Sequence, residues 1–151
     1  MNTSEKVKEW FDSADYELEK ARVSLEYGKL LFIGLMCYHA IENALKAVII
    51  YVTNGEEPPK AHNLSIMLEK SLLADKMNEE HLNLIKEVRP IDLDVNYSEY
   101  KDMLTQRDTK EYCHKIIEGT ADFLDWIKEQ LPVMPKNNKA KVTYIYHRTR
   151  S

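Results

Sequence analysis

The sequence predicts an all-α protein: an up-and-down helical bundle of three long and two short helices, followed by a basic C-terminal tail. Apolar residues recur at steps of three and four over long segments, which is the period of an amphipathic helix. Only four Gly and five Pro occur in 151 residues, too few for a β protein with many turns. A chain of this length has the size of one domain. We therefore expect one bundle over residues 1–135 and a tail over 136–151.

The first helix is predicted over residues 4–27. Its apolar side chains form one stripe, so the helix buries a single face: Val7, Phe11, Ala14, Leu18, Ala21 and Leu25. Ser4 or Thr3 is the expected N-cap, and Gly28 follows the last turn, where a glycine commonly ends a helix.

The second helix is predicted over residues 30–53 and is apolar almost all round. Its polar members form one narrow stripe at spacings i, i+3, i+4 and i+7: His39, Glu42, Asn43 and Lys46. A helix of this kind is central, with neighbours on several sides. Glu42 and Lys46 lie in the middle of the segment, and a membrane span tolerates few charges. We therefore expect no membrane partner.

Two shorter helices follow the breaks at Asn54-Gly55 and Pro58-Pro59. The first covers about 63–73 with Asn63 as its cap and these inward residues: Leu64, Met67, Leu68 and Leu72. The second begins after Asn78 and ends at Arg89-Pro90, with these inward residues: Leu82, Ile85 and Val88.

Residues 90–107 lack periodicity and are expected to form an irregular loop. The last long helix is predicted over about 109–131, with Asp108 and Glu111 as an acidic variant of a capping box. Its apolar stripe has the helical period: Tyr112, Ile116, Thr120, Phe123, Ile127 and Leu131. Pro132 ends it.

Charge is unevenly distributed along the chain. The net charge is −4, which argues against a molecule built around polyanion binding, but residues 136–151 contain five bases and no acid. Such a tail binds nucleic acid, folds back on the acidic body, pairs with a partner chain, or is an unstructured end. Two cysteines are too few for a disulfide scaffold, and no signal peptide opens the chain. We therefore expect a cytoplasmic protein.

Several kinds of active site are excluded by their missing motifs. The chain has no glycine-rich phosphate loop, dinucleotide fingerprint or nucleophile elbow, and no paired Cys-x-x-Cys ligands. His39 and Glu42 are spaced as in a carboxylate-bundle metal site, but no other helix offers a matching Glu-x-x-His. We therefore expect no metal and no cofactor. Cys113 and His114 point about 100° apart on a helix, a poor geometry for a dyad.

Arg107 and His114 are the candidate catalytic residues. On a continuous helix they would share one face, about 10.5 Å apart along the axis. RNA cleavage needs a group that exchanges a proton near neutral pH and a cation at the phosphate, for which histidine and arginine are suited. The predicted cap places Arg107 just outside the helix, where its direction is not fixed. The alternative is two solvated side chains at a helix start.

Three segments resemble the HEPN family of small helical-bundle domains. Residues 10–21 are similar to its first helix, and residues 38–47 to its most recognisable segment, Gln-Ala-x-Glu-Lys-x-x-Lys-Ala, with Asn43 at the first lysine. His62-Asn63-Leu64 lies where the family has His-Asp-Leu. The resemblance covers about residues 8–131, and it marks His39, Glu42, Lys46 and His62 as family-motif or binding residues.

One motif of the family is missing from this chain, and another is present. The family's Arg-Tyr-Pro loop has only Asn96-Tyr97-Ser98 as its nearest match, so that arginine is absent. Ribonuclease members carry Arg, a polar residue and then His after four to six intervening residues. Arg107-Asp108 followed by His114 fits this form with six intervening residues.

The resemblance implies a homodimer with any active site at the dimer cleft, and a nucleotidyltransferase partner in a toxin–antitoxin pair. We therefore expect the nucleotide- or RNA-associated component of such a two-gene system. One alternative is a metal-independent ribonuclease, in which His114 transfers a proton and Arg107 stabilises the phosphate. Another is a non-catalytic scaffold whose apolar second helix contributes to a protein interface.

Overall fold

The computed structural model describes residues 2–60, 63–88, 102 and 109–133. These residues form helices without any strand, so the prediction of an all-α bundle is confirmed. The helices are α1 (Thr3–Glu26), α2 (Ile33–Thr53), α3 (Leu64–Ser71), α4 (Glu79–Val88) and α5 (Lys110–Gln130), with short 3-10 turns at Ala74–Lys76 and Leu131–Val133.

Helix α2 is the centre of the bundle, as its composition predicts. It contacts α1, α3, α4 and α5, and 14 of its 21 residues are buried. By length and composition α2 could cross a membrane, but 72% of its most apolar window is buried inside the protein. This burial is typical of a core helix. Small side chains on both sides, such as Ala14 on α1 and Ala44 on α2, permit close helix packing.

Helices α1 and α5 run antiparallel. Arg22 Nη1 lies 2.6 Å from Glu118 Oε2, and Lys128 Nζ lies 3.0 Å from both carboxylate oxygens of Asp15. From the first pair to the second, the α1 residue is closer to the N-terminus and the α5 residue is closer to the C-terminus. Lys128 is nearly buried, whereas Asp15 is half exposed.

Among the described residues, four side chains cap helix starts. The predicted Asn63 and Asn78 caps are confirmed, since each side-chain oxygen accepts a backbone N–H three residues ahead. Two expected caps are wrong. Asn2, not Ser4 or Thr3, accepts from the Glu5 N–H at 2.8 Å. The cap of α5 is Thr109, which accepts from the Tyr112 N–H at 3.1 Å, whereas the sequence predicted Asp108.

The C-terminal end of α1 has the left-handed glycine that the sequence predicts. Gly28 has φ +70°, its N–H donates to Leu25 O, and the Lys29 N–H donates to Ser24 O at 2.8 Å. These two bonds form a Schellman motif, which satisfies carbonyls that the helix end would leave unpaired. The connection from α1 to α2 therefore has a defined backbone.

Two predicted core residues are exposed. Leu72 is 50% exposed because α3 ends at Ser71 and Leu72 turns to φ +64°, which places Leu73 in the core instead. Leu82 is 46% exposed. The inward face of α4 consists of positions 81, 84, 85 and 88, a helical spacing that leaves position 82 outside.

Some predictions fall outside the described residues. They concern Arg107, His62, the tail 136–151 and nearly all of the loop 90–107. Asp102, the one residue of that loop that the structure describes, is helical and exposed.

Candidate functional site

The described candidate residues lie in two separate regions. His39, Glu42 and Lys46 lie on α2, whereas His114 lies on the second turn of α5. The two regions differ in their surroundings, because the α2 residues are buried or half-buried in the bundle whereas His114 is exposed.

The polar stripe of α2 meets α1 along its length. His39 Nδ1 lies 4.0 Å from Glu17 Oε1, and Asn43 Nδ2 donates to Ser13 Oγ at 3.5 Å. Farther along, Lys46 Nζ lies 4.8 Å from the centre of the Trp10 ring. From one contact to the next, the residue number on α2 increases by four and then three, while the residue number on α1 decreases by four and then three. The polar stripe therefore contacts α1 at successive helical turns.

Glu42 lies on the inner edge of this stripe. Its side chain is buried, with 3% of its surface exposed, although it is a carboxylate. Burial of a carboxylate costs free energy unless polar groups compensate for the lost water. Because its side chain is buried, Glu42 is part of the packing between helices. A ligand in solvent has no access to it.

A shallow cleft continues the stripe toward the N-terminus of α1. Its volume is about 280 Å³, and its lining is mixed: Lys6, Glu9, Trp10, Ser13 and Glu57. Lys6 Nζ and Glu57 Oε1 are 3.6 Å apart. The lining carries two carboxylates and one ammonium group, so charge alone does not indicate which ligand it would take.

His114 is exposed on α5, and the preceding residue, Cys113, is buried. The predicted poor geometry for a Cys–His dyad is confirmed, since the two side chains point to solvent and core respectively. Cys113 Sγ lies 4.0 Å from Leu30 O, which places this turn of α5 against the α1–α2 connection. Burial raises the pKa of the other cysteine, Cys37, to about 11, which leaves it an unreactive thiol.

Two charged residues flank His114 along its helix face. Lys110 is one turn before it and Glu118 one turn after it, and Glu118 holds Arg22 of α1 at 2.6 Å. Sequence reasoning missed Arg22, which is 96 positions away from Glu118. No local spacing indicates such a pair, since only the packing of α1 on α5 creates it.

His81 is a third described histidine, with a structural role. Its ring lies 4.8 Å from the Phe123 ring and 4.3 Å from the Trp126 ring, centre to centre. Its Nδ1 accepts the Asn78 N–H, which completes a capping box on α4. Burial lowers the pKa of His81, and the nearby Glu80 carboxylate opposes this shift.

No three His, Cys, Asp or Glu side chains of the described residues lie close enough together to hold a metal ion.

Comparison with known proteins gives one match. A family model described as HEPN domain matches residues 7–130, which is most of the chain. No curated protein and no solved structure matches significantly.

Proposed function

Because the chain belongs to the HEPN domain family, we propose that it is the RNA- or nucleotide-associated component of a two-gene HEPN–nucleotidyltransferase system of the toxin–antitoxin type. The single observation that carries the RNA part is the exposed His114 at the start of the last helix. His114 presents an imidazole to solvent; Lys110 is one helical turn before it, and Glu118, one turn after it, pairs with the Arg22 guanidinium of α1. Cations beside a proton-transfer group suit a phosphodiester substrate.

The reaction that these residues would perform is metal-independent RNA cleavage. The His114 imidazole takes the proton of a ribose 2′-hydroxyl, whose oxygen then attacks the adjacent phosphorus. The bond from phosphorus to the 5′ oxygen breaks, and that oxygen takes a proton from a protonated imidazole. Arg107 stabilises the added negative charge on the phosphate oxygens.

RNA cleavage in EDTA tests this activity. We expect His114→Ala to lower the cleavage rate about 10²- to 10⁴-fold, the contribution typical of a general acid or base. Lys115→Ala is the matched control, since Lys115 is also exposed and adjacent to His114. Equal cleavage by wild type and His114→Ala, or none by either, removes the ribonuclease hypothesis.

The proposed system also requires assembly. We propose that the protein is a cytoplasmic homodimer that binds a nucleotidyltransferase encoded nearby. Light scattering of the purified protein tests the dimer, and a strict monomer contradicts it. Co-purification with that nucleotidyltransferase tests the partnership.

A non-catalytic scaffold is the second candidate, and one observation favours it. Tyr16 and Val23 are 65% and 41% exposed on the face of α1 opposite its core stripe. The apolar side chains of α2 are largely buried within the protomer, so a protein interface would use this α1 face instead. Partner binding that is lost in Tyr16→Ala, together with no affinity for RNA or nucleotides, would support the scaffold.

A further inference from the structure

We propose that the outer face of α1 binds the basic tail, residues 136–151, of the same chain. The outer face is the stripe of exposed side chains on the side of α1 opposite its core stripe: Glu9, Asp12, Tyr16, Glu19, Val23 and Glu26. The proposal goes beyond the RNA association and does not depend on it. A docked tail would cover the α1 face that the scaffold alternative assigns to a protein partner.

Helical spacing places the six residues of the outer face together. Their positions advance by three and four, which is the period that keeps side chains on one side of a helix. All six are exposed, so no described helix packs over this face. Two apolar side chains, Tyr16 and Val23, lie two turns apart within it and are 65% and 41% exposed. Exposed apolar side chains with a polar rim are typical of an interaction surface.

The outer face is also acidic. Lys8 is the one exposed base within α1, all of whose residues the structure describes. The exposed residues of α1 include six acids: Glu5, Glu9, Asp12, Asp15, Glu19 and Glu26. Lys8 pairs with Asp12, and Lys128 of α5 pairs with Asp15, so an excess of negative charge remains on this side of the helix. A basic segment with apolar residues therefore suits this face.

The charge of the face selects its occupant. Apart from Asp102, residues 90–107 and 136–151 lie outside the described residues. Residues 90–107 contain four acids and two bases, so an acidic face repels them, whereas residues 136–151 contain five bases and no acid. The tail also has an apolar centre, Val-Thr-Tyr-Ile-Tyr at 142–146. It therefore matches both the charge of the outer face and its exposed apolar side chains.

The end of α5 places the start of the tail near the outer face. Lys128 on α5 pairs with Asp15 on α1, and the two helices are antiparallel. Val133, the last described residue, is five residues beyond Lys128, a rise of about 8 Å. It therefore lies near the level of Glu9, so the tail starts at the N-terminal end of the outer face.

The tail is long enough to cover this face. From Glu9 to Glu26 the outer face extends about 26 Å along the axis of α1. Residues 136–151 span up to about 53 Å when extended. The difference allows the chain to pass from α5 around α1, because a helix with its side chains is about 10–12 Å across.

The order of side chains along the tail matches the order along the outer face. From its N-terminal end, the face presents carboxylates, then Tyr16 and Val23 on either side of Glu19, then Glu26. The tail presents three lysines, then the apolar centre, then two arginines. A tail that runs in the direction of α1 thus places bases beside acids at both ends and aromatic rings beside Tyr16. Because exposed ion pairs contribute little individually, we expect the apolar contacts to supply most of the affinity and the charges to set the direction.

Limited trypsin digestion of the full chain tests the proposal, because the bases of the tail are cleavage sites and a docked segment is cleaved only when it opens. Mass spectrometry follows cleavage after Lys141, and a free peptide of residues 136–151 gives the unprotected rate at each salt concentration. We expect slower cleavage in the full chain than in the peptide, with a smaller difference at high salt. Tyr16→Ala should accelerate cleavage about 2- to 12-fold, the loss of one aromatic contact, whereas Tyr16→Phe should keep the wild-type rate.

Leu82→Ala is the matched control and should keep the wild-type rate, because Leu82 is also an exposed apolar residue but lies on α4. Thermal melts verify that all variants fold. Equal rates for wild type and Tyr16→Ala would overturn the docking. Protection that disappears on dilution would assign the tail to a second copy, and protection that requires added RNA would assign it to nucleic acid, so each overturns the proposal. None of these measurements reads RNA cleavage, so a failure here is distinct from a failure of the proposed function.

Discussion

The polar stripe of α2 and the first turns of α5 carry similar side chains, but the stripe contacts a neighbouring helix at each polar residue, whereas His114 is exposed. On α2, His39, Asn43 and Lys46 contact Glu17, Ser13 and Trp10 of α1. On α5, Lys110, His114 and Glu118 repeat every fourth residue along a face that is exposed at its start. Regular spacing thus predicts which residues share a face, whereas the neighbouring helix determines whether that face is packing or surface.

The candidate residues therefore fall into two groups, those that contact a neighbouring helix and those that face solvent. The motif residues of α2 hold helices together, so a change there is expected to act on the free energy of unfolding. His114 has no comparable helix packed over it among the described residues, so a change there is expected to act on a ligand. The following substitutions test this separation.

The largest expected effect is on the buried side of α2. Ile41 is fully buried, so Ile41→Ala should lower the free energy of unfolding by about 2–5 kcal/mol. His114→Ala, by contrast, should change it by less than about 0.5 kcal/mol. Urea denaturation monitored by circular dichroism measures both. If Ile41→Ala does not fold, Ile41→Val should still cost about 0.5–1.5 kcal/mol. Equal stability of Ile41→Val and wild type would contradict the packing of α2.

An intermediate effect is expected from two cations in the two regions. Lys46→Ala removes the contact with the Trp10 ring and should cost about 0.5–1 kcal/mol of stability, without altering the salt dependence of RNA binding. Arg22→Ala should cost less than about 1 kcal/mol, because its ion pair with Glu118 is substantially exposed. It should instead reduce the salt slope of RNA binding by about 0.7, the value for one lost phosphate contact on a single strand.

Lys8→Ala is the control for Arg22→Ala. Lys8 is also on α1, and its ammonium lies 2.8 Å from the Asp12 carboxylate in an exposed pair. The Lys8→Ala variant therefore loses one charge and one surface ion pair, far from His114. Titrations of binding against salt concentration decide the matter: the same slope for Arg22→Ala and Lys8→Ala would exclude Arg22 from the RNA-binding surface.

The smallest expected effect is a pH dependence of stability that belongs to His81. Its pKa in the folded protein is below the ordinary value of 6.5, so the unfolded chain binds a proton first as the pH falls. Stability attributable to the neutral ring is therefore present above about pH 6.5 and is lost as the pH drops through the folded pKa. Protonation would also remove the Nδ1 acceptor of the Asn78 N–H.

His81→Gln tests this assignment, because glutamine keeps an acceptor for the capping box and does not titrate. The free energy of unfolding should fall less steeply in His81→Gln than in wild type between pH 7 and pH 5. Parallel curves would show that another group is responsible.

The helices themselves were predictable because their signals are local. Asn63 and Asn78 cap their helices, and Gly28 closes α1, as short-range hydrogen bonding and backbone freedom dictate. Two caps were predicted at the wrong residue. The Glu5 N–H donates to Asn2 and the Tyr112 N–H donates to Thr109, one residue away from the nearest predicted cap in each case.

The core was less predictable at the ends of short helices. Leu72 continues the apolar period of α3, yet its left-handed backbone conformation turns it outward and places Leu73 in the core. On α4, periodicity predicted Leu82 inside, although the bundle packs His81 against Phe123 and Trp126 instead. A helix of two or three turns has too few apolar residues to fix its own rotation.

The sequence by itself determined an all-α bundle around a central α2, together with the family to which the chain belongs, because periodicity and motif order are properties of the chain. Only the tertiary structure decided which polar residues are covered and which are exposed. Arg22 lies beside Glu118, and Cys113 lies beside Leu30, through contacts between positions far apart in sequence. Such contacts depend on how whole helices pack, and no local pattern encodes them.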